Sequence, residues 1–369
     1  MKILVTGATG VMGRRVTAEL AQSGEIEELL ITSRDGSEAT RVASLFGGGR
    51  VRGAALDVTD TSAFIGLARG VDVVVNAAGP GYLFEVECVR ATIDAGTHYV
   101  SLCDDVVVTE RVAALDPAAR DAGVTVISGC GLSPGLTNLM VGLAAAELDE
   151  PEEIEIALGA SSADPSGQAT TLHFLAMMAS TATSITDHTN DDAPAGTAPK
   201  LIYFPDPVGW VETFRSGHPE VTTMATTYPN LRFLRFRIGL TERAAMDVVR
   251  ASAAARLLAS EKQRRLWLRV SEPLRPMLES MPPRGASWTS ARVDVRGAAG
   301  GRAQTVSLAV VDRIANLAAV PLARAALEAG TAGLKKGVLT PEAAFEPRSF
   351  LGSVSRRGVR VARLDPLNV

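Results

Sequence analysis

Three glycines spaced three residues apart stand near the beginning of the chain, in the segment KILVTGATGVMG. Gly7, Gly10 and Gly13 follow an apolar run typical of a β-strand, and the residues after them are typical of a helix. At the first strand–helix turn of an α/β domain, such glycines allow a tight turn, close approach of the main chain to a pyrophosphate, and close packing of helix on strand. The spacing therefore predicts a dinucleotide site.

The end of the second predicted strand indicates which dinucleotide binds. The segment ELLITSR ends in Ser33 and Arg34, where NAD-binding domains usually place an acid that bonds the ribose hydroxyls. A guanidinium suits a 2′-phosphate instead, because it can donate two charge-assisted hydrogen bonds. Asp35 comes next in the chain and could serve as the acid of an NAD site. The sequence thus favours NADP(H) and leaves NAD open.

Further cofactor contacts are expected at the carboxyl ends of the neighbouring strands, where parallel sheets bind their ligands. The predicted cofactor-binding residues are Gly7, Thr9, Gly10, Val11, Met12, Ser33, Arg34, Asp57, Val58, Asn76, Ala77, Ala78 and Gly79. The third strand would place its end beside the adenine. The backbone of NAAG, after the fourth strand, would face the nicotinamide ribose.

These residues require a scaffold of alternating strands and helices. Over residues 1–130 such an alternation predicts an N-terminal Rossmann domain, an α/β fold with a doubly wound parallel sheet. Residues 131–330 indicate an inserted α+β substrate domain, with alternating strands in EIEIALGAS and LRFLRFRIGL and a hairpin in SARVDVRGAAGGRAQTVSLAVVD. Residues 331–369 are expected to return to the Rossmann domain.

Three segments of the inserted domain have weaker patterns. A helix is expected over residues 169–184, and the polar stretch DHTNDDAPAGTAPK after it is expected to form a surface loop. A long Arg-rich helical region follows from Glu242 to about Met281. Glutamates interrupt its positive charge, which favours a solvated or dimer-facing helix over one that lies on a membrane.

The composition excludes several classes of protein. The chain has 369 residues, of which 46% are hydrophobic and 21% charged, as in ordinary globular domains. A formal net charge of −4 argues against nucleic-acid binding. No apolar run predicts a membrane span and no signal-peptide pattern is present, so we expect a cytoplasmic protein. The three cysteines and four histidines are scattered without metal-ligand spacing, and no metal site is expected.

Five segments give the chain a resemblance to a known family. VTGATGVMG, DVVVNAAGP, AGTHYVSL, SGCGLSPGLTN and KKGVLTPEAAF are spread over most of its length. In this order they resemble the saccharopine dehydrogenase-like family of NADP-linked oxidoreductases, which includes saccharopine reductase and carboxynorspermidine synthase. The resemblance implies a Rossmann domain, a catalytic and dimerisation domain, a homodimer, and NADP(H)-dependent hydride transfer to or from a C=N bond of a small-molecule substrate.

Two positions depart from the pattern of this family. Ser133 stands where C-G-x-D-P-G often has an acid, and Ser101 stands where an acid often follows HYV. A substrate ammonium group needs a carboxylate partner when it leaves water. The two serines therefore favour a substrate that is less cationic than a free amino acid or a polyamine.

The residues available for catalysis leave three functions open. A short-chain dehydrogenase would need Tyr-x-x-x-Lys, and none of the four tyrosines has a lysine at that spacing. Hydride transfer to an iminium needs little help from an acid, because the acceptor is already cationic. The alternatives are an enoyl reductase acting on a carrier-bound or thioester acyl substrate and, in another class, a non-catalytic NADP-binding redox sensor.

Candidate catalytic and substrate-binding residues follow the fifth and sixth predicted strands and open the second domain. The catalytic candidates are Tyr99, Asp104 and Cys130, which could equally be a packed strand tyrosine, a helix N-cap and a small buried thiol. In SGQATTLHF a loop is expected to open a helix whose free amides could bind an anion. The predicted substrate-binding residues are Pro80, Ser133, Gly167, Gln168, Thr170 and His173.

Overall fold

The computed structural model describes residues 1–47, 49–280, 287–331 and 333–364. The chain divides into two compact units, each made of two segments. The first unit is Met1–Leu136 with Ala315–Arg357, and the second is Thr137–Ile314 with Gly358–Val369. Within the described ranges no helix is long and apolar enough to cross a membrane.

The strands and helices are numbered in chain order. The strands are β1 Lys2–Thr6, β2 Glu28–Ser33, β3 Val51–Ala55, β4 Val73–Asn76, β5 His98–Ser101, β6 Thr125–Ile127, β7 Glu150–Ala160, β8 Thr181–Thr186, β9 Thr189–Pro194, β10 Thr197–Phe204, β11 Gly209–Arg215, β12 Phe233–Leu240, β13 Thr289–Ala299, β14 Arg302–Asp312, β15 Gly337–Leu339 and β16 Val361–Leu364. The helices are α1 Val11–Ala21, α2 Gly36–Ser44, α3 Thr61–Ala68, α4 Gly81–Ala95, α5 Val106–Ala113, α6 Asp116–Asp121, α7 Leu136–Ala145, α8 Gln168–Met178, α9 Pro219–Thr227, α10 Arg243–Ala254, α11 Glu261–Ser271, α12 Arg275–Ser280, α13 Ile314–Thr331, α14 Pro341–Ala344 and α15 Pro347–Ser355.

The first unit contains a seven-stranded parallel sheet in the order β15, β6, β5, β4, β1, β2, β3. The strand order reverses at β1, which pairs with β2 on one side and with β4 on the other. Leu4 and Val74 face a core formed with α3, α4 and α5, while Ile3 and Val5 on the other face are also fully buried. A parallel sheet covered on both faces confirms the predicted doubly wound fold.

The glycine loop has the close contacts that its spacing predicts. Gly7 turns the chain after β1 with a φ of +66°, and Gly10 is the N-cap of α1. A Cβ on Gly13 would lie 2.2 Å from the carbonyl oxygen of Gly7. Only glycine therefore allows α1 to pack this closely on the loop that precedes it.

The second unit contains a mixed sheet of nine strands. Seven follow the order β10, β11, β12, β7, β13, β14, β16, and β8 and β9 extend from β12. β12 and β7 are parallel, whereas β13 and β14 form the predicted antiparallel hairpin, in which Ala299 is opposite Arg302. Gly300 and Gly301 make its turn with φ values of +57° and +75°.

Two predicted elements of the second unit are wrong. The polar stretch expected to be a surface loop forms β9 and the beginning of β10, and the helix expected to reach residue 184 ends at Met178. β9 pairs with β8 alone among the described strands, so its other edge needs no apolar neighbours. Its Asp191 and Asp192 accept hydrogen bonds from neighbouring side chains instead.

The sequence predicted domain boundaries at residues 130 and 330. In the structure the first unit ends its first segment at Leu136 and takes a second segment, Ala315–Arg357. Helix α13 belongs to the first unit, where Asn316 accepts a hydrogen bond of 2.6 Å from Arg15. β15 adds to the first sheet beside β6. β16 instead pairs with β14 of the second unit.

The close contact at Gly13 gives a test of the loop geometry. Gly13→Ala should lower the free energy of unfolding by about 1–3 kcal/mol, because the new methyl group has no room against the Gly7 carbonyl. Gly66→Ala is the matched control: this glycine is also helical but has open space around its Cβ position. That variant should gain about 0.5–1 kcal/mol. Urea unfolding followed by circular dichroism compares the two, and an unchanged midpoint for Gly13→Ala would contradict the contact.

Candidate functional site

The predicted cofactor residues of the first unit meet at one edge of its sheet. β4, β1, β2 and β3 are adjacent and parallel, so the loops that follow them lie side by side. Thr9 Oγ1 in the loop after β1 donates to Ser33 Oγ at the end of β2 at 3.1 Å. The Ala77 amide after β4 donates to the Thr6 carbonyl at 3.1 Å. The edge lies at the switch point between β1 and β4, where doubly wound sheets bind ligands.

The loop Gly7–Gly10 leaves room for an anion. A Cβ on Gly7 would lie 2.6 Å from the Ala78 amide nitrogen, so this residue is closely packed. Gly10 is exposed, and a Cβ there would meet only the Gly7 carbonyl oxygen, at 3.3 Å. Helix α1 has no side-chain cap and no acid in its first turn. Its free amides and the positive end of its dipole therefore face the space above Gly10.

Asp35 serves as a helix cap rather than as an acid at the open edge. Its carboxylate accepts hydrogen bonds from the amide and hydroxyl of Ser37, at 2.9 and 2.6 Å, and from the amide of Glu38. These bonds, led by that from the Ser37 hydroxyl, lower the pKa of Asp35 below its ordinary value. Arg34 is exposed beside it. The charged group that is free of capping bonds at the end of β2 is therefore the exposed guanidinium of Arg34.

Asp57 and Val58 follow β3, and their place beside an adenine stays a prediction. Asp57 accepts hydrogen bonds from the amide and hydroxyl of Thr59. These bonds, and more weakly the charge of Arg34, lower the pKa of the Asp57 carboxyl. The loops after β2 and β3 are therefore close enough for their charges to interact.

Arg14 is a second cation at this edge that the sequence analysis missed. Its Nε donates to the Thr9 carbonyl at 2.8 Å, and its Nη2 lies 2.9 Å from Glu38 Oε1. The sequence pattern that could have identified it is an arginine in the first helical turn after a glycine loop, because an anion is expected at that helix N-terminus.

A buried carboxylate that the sequence analysis also missed lies beneath the ends of β4, β5 and β6. Glu85 of α4 is 2% exposed. It accepts four side-chain hydrogen bonds, at Oε2 from Asn76 Nδ2 (3.0 Å) and Tyr99 OH (2.8 Å) and at Oε1 from Ser101 Oγ (2.5 Å) and Ser128 Oγ (2.9 Å). Burial raises the pKa of Glu85 above its ordinary value, and the four hydrogen bonds oppose this rise.

Asn76 connects this cluster to the strand that leads into the glycine loop. Its Oδ1 accepts hydrogen bonds from Thr6 Oγ1 at 2.6 Å and from the Ala78 amide at 3.0 Å, while its Nδ2 donates to Glu85 and Tyr99. All hydrogen-bonding atoms of the Asn76 side chain are therefore used inside the protein. The contact of the NAAG backbone with the nicotinamide ribose stays a prediction.

The three predicted catalytic residues lie near the ends of β5 and β6 in different surroundings. Tyr99 is fully buried, and burial raises the pKa of its hydroxyl well above the ordinary value. Cys130 is 2% exposed, and burial likewise raises the pKa of its thiol. Asp104 is half-buried, and the cap of α5 is its neighbour Asp105, which accepts from the Val108 amide at 3.0 Å. Their catalytic roles stay predictions.

The predicted substrate residues are divided between the units. In the first, Pro80 is the N-cap of α4, and Ser133 lies in a tight loop closed by a 2.9 Å hydrogen bond from the Gly131 amide to the Pro134 carbonyl. In the second, Gly167 is the N-cap of α8 with a φ of +87° and no side-chain cap. SGQATTLHF thus opens a helix, as predicted.

The other three substrate candidates belong to α8 itself. Gln168 is exposed, Thr170 is half-buried and His173 is buried. Thr170 Oγ1 donates back to the Ser166 carbonyl at 2.9 Å. The first turn of α8 therefore combines side-chain hydroxyls with amides that no side chain caps. As for metals, the described part of the chain contains no group of three or more His, Cys, Asp or Glu side chains placed to bind one.

Comparison with known proteins agrees with the cofactor site. Residues 3–127 match the saccharopine dehydrogenase NADP binding domain. This match confirms the resemblance to the saccharopine dehydrogenase-like family and the expectation that the first unit binds NADP(H).

Two curated relatives are similar over part of the chain. A carboxyaminopropylagmatine dehydrogenase of Synechocystis is 28% identical over 151 residues, which are 39% of this chain and 37% of the relative. A lipid droplet localized protein of Caenorhabditis elegans is 30% identical over 138 residues, 35% of this chain and 32% of that one. The chain thus spans about a third of the length of the curated relatives that it matches.

A solved structure shares the fold over the full length. The apo saccharopine dehydrogenase (L-Glu forming) of Saccharomyces cerevisiae has a TM-score of 0.71 and 15% sequence identity, over 99% of this chain and 100% of that one. Both units therefore have the fold of that protein.

The Glu85 cluster gives a stability prediction. Glu85→Ala leaves three buried donors and one partly buried donor without their acceptor and should lower the free energy of unfolding by at least about 3 kcal/mol. Glu87→Ala on the same helix is the control, because Glu87 is exposed and pairs with the exposed Arg90 at 3.5 Å. It should change stability by less than about 0.5 kcal/mol. Equal urea midpoints for the two variants would contradict a structural role for the cluster.

The same carboxyl group makes stability depend on pH. Its pKa is raised above the ordinary value of 4.5, so between the unfolded and folded pKa values the folded state holds the extra proton. This contribution is complete below the unfolded pKa and is lost as pH rises through the folded pKa. Glu85→Gln cannot titrate, and its free energy of unfolding should lack that decline when measured by urea unfolding across the same pH range.

Proposed function

We propose that this chain is an NADP(H)-dependent oxidoreductase that transfers a hydride to or from the C=N bond of a small-molecule substrate. The observation that carries the proposal is the open edge of the first sheet at Gly10, within the residues that match an NADP-binding domain. If this edge does not bind the cofactor, the proposed function is wrong.

The residues at this edge fit NADP(H). A side chain at Gly10 would fill space that the protein leaves empty, beside helix amides that suit a pyrophosphate. Arg34 and Ser33 would hold the 2′-phosphate, with Arg14 as a second cation nearby. Asp57 and Val58 would border the adenine, and the backbone of Ala77–Gly79 the nicotinamide ribose. When bound, the cofactor supplies or accepts a hydride.

Two arguments favour a C=N substrate. Two of the three catalytic candidates, Tyr99 and Cys130, are buried with raised pKa values, so they are poor proton donors to a ketone oxygen near neutral pH. Two similar proteins are named for substrates that contain C–N bonds, saccharopine and carboxyaminopropylagmatine. An iminium carbon accepts hydride without a proton donor, which suits such surroundings.

The rest of the proposal comes from the sequence. We propose that Pro80 and Ser133, together with Gly167, Gln168, Thr170 and His173 of the second unit, contact the substrate.

A homodimer in the cytoplasm is also part of the proposal, and the three buried cysteines, none of them in a disulfide, suit a reducing compartment. Light scattering at several protein concentrations tests the dimer.

Arg34 should set the preference for NADPH. Arg34→Ala should weaken NADPH binding by about 1.5–3 kcal/mol, the range for a hydrogen bond to a charged group, and leave NADH nearly unchanged. Arg52→Ala removes an exposed arginine from β3 that pairs with Glu28 and should change neither affinity. Titration calorimetry with both cofactors measures the effect, and equal losses for NADPH and NADH would contradict the role of Arg34.

The reaction class is tested by NADPH oxidation. Panels of amines paired with aldehydes or α-keto acids are compared with ketones alone and with enoyl thioesters. We expect turnover only when amine and carbonyl compound are both present. Turnover confined to enoyl thioesters would replace the proposal with C=C reduction. Tight NADPH binding without turnover in any panel would favour the redox sensor.

A further inference from the structure

Arg14 connects the glycine loop with the first turn of α2, inside the first unit. Its Nε donates to the Thr9 carbonyl oxygen at 2.8 Å, and its Nη2 donates to Glu38 Oε1 at 2.9 Å. Thr9 in turn donates from Oγ1 to Ser33 Oγ at the end of β2. Arg14 therefore lies on the side of the glycine loop that faces β2 and α2, where the 2′-phosphate is proposed to bind.

These two hydrogen bonds leave one edge of the Arg14 guanidinium unused. The group carries five N–H donors, one on Nε and two on each Nη. The bonds to Thr9 and Glu38 use the Nε donor and one donor of Nη2. Nη1 makes no hydrogen bond with any residue in the described ranges, and the side chain is 47% exposed. The edge formed by Nη1 and Nη2 is therefore open, and its fork of donors matches two oxygens of a phosphate.

Glu38 is the carboxylate that holds Arg14, and it is bonded to a second arginine. Arg41 lies one turn further along α2 and donates from Nε to Oε2 and from Nη2 to Oε1, both at 2.7 Å. The hydrogen bonds from Arg41 hold the pKa of the Glu38 carboxyl below its ordinary value, so it is ionised at neutral pH. The anionic partner of Arg14 is thus a residue of the protein itself.

The other two acids at this edge are bonded to neutral donors. Asp35 accepts from the amide and hydroxyl of Ser37, and Asp57 accepts from the amide and hydroxyl of Thr59. Among the described residues, neither carboxylate accepts a hydrogen bond from an arginine. Glu38 is therefore the acid whose charge is spent on the cations of this edge. The sequence analysis missed the pair because Arg14 and Glu38 are 24 positions apart, on different helices.

We propose that Arg14 is a second ligand of the 2′-phosphate of NADP(H), through its Nη1–Nη2 edge, and that Glu38 limits the affinity for this phosphate. The inference rests on the proposed function, in which Ser33 and Arg34 hold the same group. A phosphate on this edge shares Nη2 with the Glu38 carboxylate, so the two anions lie side by side and repel. NAD(H) has a hydroxyl group there and escapes the repulsion. Glu38 therefore narrows the preference for NADP(H) over NAD(H).

The first test is Glu38→Gln, which removes the charge and keeps an oxygen that can accept from Arg14. The Kd for NADPH should fall by about 3- to 10-fold, and the Kd for NADH should not change. Titration calorimetry at low ionic strength measures both, because salt screens exposed charges. Unchanged or weaker binding of NADPH would overturn the role of Glu38.

Glu87→Gln is the matched control for this variant. Glu87 is also a helix glutamate that pairs with an arginine three residues later, at 3.5 Å, and it is exposed on α4. Its substitution should change neither Kd. A gain in NADPH affinity equal to that of Glu38→Gln would assign the effect to net charge and contradict a local contact.

The second test separates the 2′-phosphate from the pyrophosphate. Adenosine 2′,5′-bisphosphate carries the first group, and adenosine 5′-diphosphate imitates the second. Arg14→Gln should raise the Kd for the 2′,5′-bisphosphate by about 10- to 100-fold, as expected for lost hydrogen bonds to a charged group. The Kd for the 5′-diphosphate should stay nearly unchanged. Equal losses for the two nucleotides would mean that Arg14 serves the glycine loop or the pyrophosphate, and the inference would fail.

Arg41→Gln is the control for the loss of a positive charge alone. It removes the same charge from the same carboxylate, but Arg41 is bonded to Glu38 and to none of the glycine-loop residues, all of which the structure describes. The Kd for the 2′,5′-bisphosphate should rise by less than about 3-fold. A loss as large as that of Arg14→Gln would overturn the assignment. Wild type that binds no NADPH would instead defeat the proposed function, whereas tight wild-type binding with an unimpaired Arg14→Gln variant would defeat only the inference.

Discussion

The buried carboxylate of Glu85 is the constraint on which the edge of the first sheet depends. It needs hydrogen-bond donors on both oxygens, and it takes them from residues at the ends of β4 and β5 and directly after β6. Asn76 extends the same network to β1 through Thr6. A shift of any of these strands would leave a buried polar group unpaired, which costs about 1–3 kcal/mol for each group. The loops above this edge therefore start from fixed positions.

The same network explains a departure from the family pattern. An acid often follows HYV, but here Ser101 donates to Glu85 at 2.5 Å. A carboxylate at position 101 would face the carboxylate of Glu85 in the buried interior, where two like charges repel strongly. Keeping Glu85 thus requires a neutral donor at 101. The serine at position 101 is therefore explained by the buried Glu85 at least as well as by the charge of the substrate.

The sequence predicted those parts of the fold and the site that depend on neighbours along the chain. The glycine loop, the alternating strands and the hairpin at Gly300 each have a local pattern. Glu85 looks like any helix glutamate, because its partners lie 9 to 43 residues away. The same holds for Glu220 of α9, which accepts a hydrogen bond from Thr137, 83 positions earlier. β9 was missed because an edge strand bonded on one side can be entirely polar. Such features depend on tertiary contacts that no window of sequence contains.

The return of β15 to the first sheet affects how the protein is made. The outer edge of β6 pairs with β15, and Thr125 at its beginning bonds to Lys335, 210 residues further along the chain. On the ribosome, β6 is synthesised long before this partner. Its open edge and the apolar surface that α13 later covers are exposed throughout synthesis of the second unit. The nascent chain is therefore in need of protection from aggregation during translation, until its last segments have emerged.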